Sequence, residues 1–189
     1  MNYLSVQYLS KSYGIQTLFE GITFGVDQGQ KVALVARNGA GKTTILRALA
    51  GVESADSGRV VFRKDLQIGF LQQEADFGFF TTVYDALYGS KNPILSAIKE
   101  YESAMLNPEN SDAFQIAFEK MERLDAWDYE VKVKTILSKL KLEELNQEIS
   151  VLSGGQRKRL SLAKLLIDQP DFLILDEPTN HLDLEMIEW

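Results

Sequence analysis

The chain has 189 residues, 45% of them hydrophobic and 25% charged, with a formal net charge of −7. That length suits one domain with a real core, or one domain plus a small insertion, and the acidic balance argues against a chain built mainly to coat nucleic acid, which needs clustered Lys and Arg. Cysteine is absent, which excludes a disulfide framework and thiol or Cys-metal chemistry, and no apolar run reaches the length needed to span a bilayer. Met1 to Gly14 lacks a basic stretch followed by an apolar run, so no signal peptide is visible and a cytoplasmic location is expected.

Alternation at Leu4, Val6 and Tyr8 and again at Ile22, Phe24 and Val26 predicts two half-buried strands. Lys31 to Ala36 is a short apolar run that predicts a strand buried on both faces. A Gly-rich turn follows it, then a helical pattern from Thr43 to Ala50. The Asp56-Ser57-Gly58 turn leads into a strand at Arg59 to Arg63, and Leu66 to Leu71 predicts another.

From about residue 81 to 148 the pattern becomes helical. Pro93 opens a helix with Ile94, Ile98, Tyr101 and Met105 near one face, and Asn107-Pro108 breaks it. Ser111 or Asp112 can cap a second helix, whose apolar side holds Phe114, Ala117, Met121 and Leu124. A third runs from Tyr129 to about Leu142 through Val133, Ile136, Leu137 and Leu140. A helix over Gly155 to Ile167 and Pro170 then precede a strand at Phe172 to Leu175, and Leu184 to Trp189 reads as the first turns of another helix.

Three motifs carry chemistry. In Ala36-Arg37-Asn38-Gly39-Ala40-Gly41-Lys42-Thr43-Thr44, glycines let backbone N–H groups close around a β-phosphate, and the helix beginning near Lys42 adds its positive end. Lys42 supplies a charge to the β- and γ-phosphates, and the Thr43 hydroxyl is a ligand for Mg²⁺. Ala36 stands where the phosphate-loop pattern has its first Gly. Positive φ there would cost about 1–3 kcal/mol, and negative φ close to nothing; continuation of the preceding strand favours negative φ. The second motif, Phe172 to Glu177, is an apolar strand ending in acids, with Asp176 fitted to Mg²⁺ and Glu177 to polarising a water for attack on the γ-phosphate. The third is Leu152-Ser153-Gly154-Gly155-Gln156, a helix-start signal just upstream of the acidic strand.

In that order the motifs resemble the ATP-binding-cassette superfamily over nearly the whole chain. The resemblance implies an α/β fold: a P-loop NTPase, ABC-type nucleotide-binding domain with a mixed, RecA-like sheet and an inserted α-helical subdomain or arm. It divides the chain into 1–80 (first part of the ATP-binding core), 81–150 (helical subdomain with an arm-like insertion) and 151–189 (signature helix, acidic strand and D-loop). It implies ATP and Mg²⁺ as ligands. Tyr13 would stack on adenine, with Ala36 to Thr44 on the phosphates, and Gln73, with Gln72 the competing candidate, would join Thr43 and Asp176 at the metal. Ser153, Gly154, Gly155 and Gln156 resemble the signature that grips the ATP of a partner cassette, and Asn180, His181, Leu182 and Asp183 resemble the D-loop. His181, the only histidine, has no neighbouring His or Cys to make a metal site; the family's γ-phosphate-sensing histidine would lie beyond Trp189.

The wording Glu177-Pro178-Thr179-Asn180-His181-Leu182-Asp183 resembles the ABC-F branch. Asp125-Ala126-Trp127-Asp128 and Glu185-Met186-Ile187-Glu188-Trp189 are similar to its Uup-type members. Leu152 lies 79 residues after Gln73, room for a helical arm centred on 93–106 and 111–125. The branch implies a second cassette, in the same chain or a homodimer, and action on the ribosome or transfer RNA through that arm. The alternatives are the nucleotide-binding subunit of a membrane transporter and a DNA-repair cassette. Arg157-Lys158-Arg159, the densest basic cluster, is expected on the solvent side of the signature helix. A single cassette is expected to turn over ATP weakly, to expose apolar surface on its sheet, and to self-associate.

Overall fold

The computed structural model describes residues 1–73, 76–89, 92–106 and 111–180. The chain divides into two compact units, one made of Met1–Gln72 with Pro170–Asp176, the other of Gln73–Gln169 with the residues after Asp176.

In the first unit, strands β1 (Asn2–Tyr13) and β2 (Gln16–Asp27) form an antiparallel hairpin whose last pair is Tyr13 with Gln16. Both are longer than their alternation suggests, because pairing continues to the Gly14-Ile15 tip. Strand β3 (Ser57–Phe62) pairs antiparallel with the other edge of β1, giving the order β2-β1-β3. Leu4, Val6 and Leu9 of β1 are buried with Phe19 and Val26 of β2, against Ile45, Ala48 and Leu49 of helix α1 (Lys42–Leu49). Tyr8, expected inside by alternation, is 73% exposed. The register shifts between Val6 and Leu9, and Tyr8 takes φ +50°. This bulge turns Tyr8 out and brings Leu9 in.

Strands β4 (Ile68–Leu71) and β5 (Phe172–Leu175) form a separate parallel pair in this unit, with Leu71 opposite Leu175. The strand expected at Lys31 to Ala36 is not formed, and Val32, Leu34 and Val35 are exposed. A doubly buried strand needs ladder partners on its edges, and among the described residues β4 and β5 pair only with each other. Ile68, Leu173 and Leu175 are exposed as well, so the strand pair carries open apolar surface.

The second unit is helical: α2 (Val83–Tyr88), α3 (Pro93–Met105), α4 (Ser111–Arg123), α5 (Trp127–Lys139) and α6 (Gly154–Ile167). Its core gathers Ala86 and Leu87, Leu95 and Ile98, Met121, Val133, Leu140, and Leu160 with Ala163. Helices α3 and α4 pack together through a Lys120–Glu100 ion pair at 2.6 Å and the Tyr101–Phe114 ring pair at 5.7 Å. Trp127, at the start of α5, closes on both: its ring lies 5.1 Å from Tyr101 and 5.5 Å from Phe118. Two expected core positions lie outside it, since Met105 and Phe114 are exposed. The Asn107-Pro108 break and the helix expected at Leu184 to Trp189 lie outside the described residues.

Lys158 is buried, contrary to the expectation of a solvent-facing basic cluster. Helix α6 is covered along two lines. Leu160, Ala163 and Ile167 enter the core, while Leu162 and Leu166 pack against it from another side. Lys158 continues the row of Leu162 and Leu166 at helical spacing, so its aliphatic stem is enclosed. Arg157 is half-buried and donates to the Ser150 carbonyl at 3.1 Å.

Candidate nucleotide site

The loop from Ala36 to Thr44 enters α1 through Gly41, the N-cap, at φ +83°. Gly39 also has positive φ, +79°. A side chain at Gly41 would be strained by this φ and would also press its Cβ to 3.2 Å from the Cβ of Leu18. Helix α1 starts with no side-chain cap and no acidic residue in its first turn. Its first N–H groups therefore face the loop without a carboxylate or hydroxyl to satisfy them, the condition that favours an anion.

The Lys42 ammonium turns back over the loop. It donates to the carbonyls of Ala36 at 3.1 Å and Arg37 at 3.2 Å, and lies 3.4 Å from Asn38 Oδ1. No carboxylate competes for it in these contacts, so its charge stays available to phosphate. Ala40 closes the loop by donating its N–H to the Arg37 carbonyl at 3.2 Å. Ala36 has no positive φ. The residue thus tolerates a side chain, although the strand continuation that suggested as much is absent.

Tyr13 is brought to this helix by the β1–β2 hairpin. Its hydroxyl donates to Glu53 and lies beside the Thr44 side chain; the Glu53 hydrogen bond, first among the causes, holds its pKa above the ordinary tyrosine value. Its ring is half exposed, with the Lys11 ammonium 5.5 Å from the centroid. The same lysine lies 3.3 Å from Asp56, whose carboxyl is held below its usual range by the Ser12 backbone N–H and by Lys11. Sequence reasoning missed Lys11, Glu53 and Asp56, since separations of 40 or more residues along the chain leave no local signature.

Asp176 is buried at the end of β5, and its N–H donates to the Leu71 carbonyl at 3.0 Å. Because Leu71 and Leu175 are paired, Gln72 and Asp176 follow at the same edge of the strand pair, with Gln73 one residue further on and exposed. The donor set of Thr43 and one carboxylate is of the oxygen type Mg²⁺ takes when phosphates and water complete its shell. Among the described residues no group of three or more His, Cys, Asp or Glu could form a cage of its own.

In the helical unit, Ser153 caps α6 in a capping box. Its Oγ accepts from Gln156 N–H at 3.2 Å, and its own N–H donates to Gln156 Oε1 at 2.9 Å. Gly154 and Gly155 form the first turn above it. Glu177 is exposed and accepts from the Asn180 side chain at 2.6 Å. His181, Leu182 and Asp183 lie outside the described residues. Among the described residues no helix is long and apolar enough to cross a membrane.

The sequence pattern of the family described as "ABC transporter" matches residues 19–180. The chain is 35% identical over 184 residues to the ATP-binding protein Uup of Haemophilus influenzae, covering 94% of this chain and 28% of that protein. It is 33% identical over 198 residues to the ABC transporter F family member 2 of Arabidopsis thaliana, covering 97% and 29%. It is 29% identical over 191 residues to the energy-dependent translational throttle protein EttA of Mycobacterium tuberculosis, covering 98% and 34%. The chain thus spans about a third of the length of these relatives. A solved structure titled as the ATP binding subunit of an ABC transporter shares the fold, with a TM-score of 0.69 at 23% identity over 98% of this chain and 70% of that one.

Proposed function

The chain belongs to the ABC transporter family, and from that premise we propose that it is an ATP-binding cassette of ABC-F type, whose site binds ATP with Mg²⁺ and hydrolyses it when a second cassette completes it. The observation that carries this reading is the start of α1: an uncapped helix end behind left-handed Gly41, with the Lys42 ammonium resting on the Ala36 and Arg37 carbonyls. Phosphate oxygens are the ligands such an arrangement stabilises best, because N–H dipoles and one point charge converge on them.

Ala36 to Thr44 cradle the triphosphate, Tyr13 stacks on adenine, and Thr43, Gln73 and Asp176 hold the metal. Bound Mg²⁺ supplies charge neutralisation on the β- and γ-phosphate oxygens. Glu177 accepts a proton from the attacking water, held in place by Asn180. Ser153, Gly154, Gly155 and Gln156 serve the ATP of the partner cassette, and the D-loop from Asn180 to Asp183 links the two sites. The name of one relative, a translational throttle, supports a role in translation, with a ribosome or transfer RNA as the target of the α3–α4 arm on this reading.

The test is co-sedimentation of the Glu177→Gln variant with ribosomes. Removal of the proton-accepting carboxylate should hold the ATP-bound state, so ribosome pelleting should rise with ATP and not with ADP. Equal pelleting with either nucleotide would sink the ribosomal reading. Loss of ATP binding on Lys42→Ala would be expected, and its retention would overturn the nucleotide site itself.

A further inference from the structure

We propose that Glu53 is a positioning residue for Tyr13, holding the ring in the orientation that receives the base; the proposal rests on the reading of Tyr13 as the adenine stack. Local sequence places the carboxylate. Helix α1 ends at Leu49 with Ala50 as its C-cap, and Gly51 follows at φ +71°. Gly51 N–H donates to the Ala48 carbonyl at 3.2 Å and Val52 N–H to the Arg47 carbonyl at 2.9 Å. These two bonds are the Schellman closure of a helix. Glu53 comes next, and its own N–H also reaches the Arg47 carbonyl at 3.2 Å. The backbone that carries this carboxylate is therefore fixed to the helix that the phosphate loop opens.

The two oxygens divide their work. Oε1 accepts from the Tyr13 hydroxyl and lies 3.9 Å from the Lys11 ammonium, while Oε2 lies 3.5 Å from Arg47 Nε. The Glu53 side chain is 20% exposed, against 54% for Tyr13. An open ring is thus tethered at its hydroxyl by a mostly buried acceptor. An untethered exposed tyrosine loses rotamer freedom when it stacks, whereas one already held loses little; immobilising such a side chain changes affinity by about three- to tenfold. Because the tether comes from α1, the ring and the phosphate loop share one rigid support.

Binding of ATP and of inorganic tripolyphosphate to the full chain tests this, with folding of each variant checked by circular dichroism. Glu53→Ala and Tyr13→Phe should each weaken ATP about three- to tenfold, should not add in the double variant, and should leave tripolyphosphate unchanged. Glu53→Gln keeps an acceptor for the hydroxyl but loses the charge that faces Arg47 and Lys11, so it should bind ATP like the parent. If Glu53→Gln falls as far as Glu53→Ala, or if tripolyphosphate weakens in step with ATP, Glu53 acts through its ion pairs on α1 and the proposal is overturned. If Tyr13→Ala weakens ATP while Glu53→Ala does not, the stacking role stands and the positioning role fails. Unchanged discrimination between ATP and tripolyphosphate in Tyr13→Ala would remove the stacking role and the proposal together.

Discussion

Asn180 donates its side-chain amide to a carboxylate oxygen of Glu177 at 2.6 Å, across a turn closed by Asn180 N–H on the Glu177 carbonyl at 3.3 Å. Pro178 occupies the second position of that turn, where a fixed φ is favoured. Glu177 itself takes φ +46°, an uncommon backbone for a residue with a long side chain. A carboxylate presented in this way is aimed by its turn and by one donor.

Replacing Glu177 by Gln keeps the shape of this contact and removes the base. Loss of a general base costs on the order of 10²–10⁴ in rate, so hydrolysis by the protein with its second cassette should fall by at least about a hundredfold while ATP affinity stays within a factor of two or so. Asn180→Ala removes only the tether and should lower turnover by a few fold, in line with the loss of one exposed charge-assisted hydrogen bond. Steady-state hydrolysis alongside nucleotide titration separates these effects. An Asn180 variant whose ATP affinity falls as much as its rate would show that the contact supports binding instead.

The glycines of the phosphate loop differ in what surrounds them, and this sets the order of two substitutions. At Gly39, with φ +79°, an added Cβ meets nothing within 4 Å, whereas at Gly41, with φ +83°, it meets Leu18 at 3.2 Å. Gly39→Ala should cost the left-handed conformation alone, about 1–2 kcal/mol, seen as a roughly five- to thirtyfold loss of ATP affinity or as a lower midpoint of melting. Gly41→Ala should cost more, and Leu18→Gly, which removes the Cβ it meets, should relieve only the Gly41 variant. Equal effects of the two glycine substitutions, with no response to Leu18, would be the contrary result.

The turn and helix start of the candidate site were legible because their signals are local. Gly, Lys and Thr at fixed spacing, and an apolar strand ending in Asp176, dictate backbone and charge within a few residues. The α/β architecture followed from these short motifs and the relationship to Uup from Asp125 to Asp128 and Glu185 to Trp189, and the comparisons agree with both. What was not legible depends on partners distant in sequence. Lys31 to Ala36 has the composition of a buried strand, yet composition cannot supply the neighbouring ladder. Tyr8 fits an alternation that a bulge interrupts. Helix α2 has only six residues, four of them buried, too short to display a helical period. Glu53 reached Tyr13 through a helix cap and a hairpin, neither of which marks the other in the sequence.

The start of α2 carries a titratable cap. Thr82 Oγ1 accepts from Asp85 N–H at 3.1 Å and donates to Asp85 Oδ2 at 2.7 Å, and Thr81 adds a bond at 3.2 Å. The Thr82 hydrogen bond, first among the causes, holds the Asp85 carboxyl below its ordinary range. A depressed folded-state pKa means that its stabilisation is complete above the unfolded value, near 4, and is lost as pH falls through the folded value. Melting temperatures of the parent and of Asp85→Asn should therefore differ at pH 7, and the gap should shrink as pH falls below about 4. A gap that stays constant from pH 7 to pH 2.5 would exclude the charged cap as its cause.

Ser153 and Gln156 satisfy each other reciprocally at the start of α6, a helix whose Leu160, Ala163 and Ile167 sit in the core of its unit. Ser153→Ala removes the acceptor for Gln156 N–H and should lower stability by about 1 kcal/mol, within the usual range for losing an N-cap. Ser153→Asp restores an acceptor at that position and should recover most of the loss. Gln156→Ala frees only the Ser153 N–H, which is exposed to water, and should cost less, about 0.5 kcal/mol. Because each side chain answers the backbone of the other, the double variant should lose less than the two single losses together. Urea unfolding followed by far-ultraviolet circular dichroism measures all four. Strict additivity, or a Ser153→Asp variant no more stable than Ser153→Ala, would mean that the helix start is held by packing of Leu152 and Leu160 and not by this pair of hydrogen bonds.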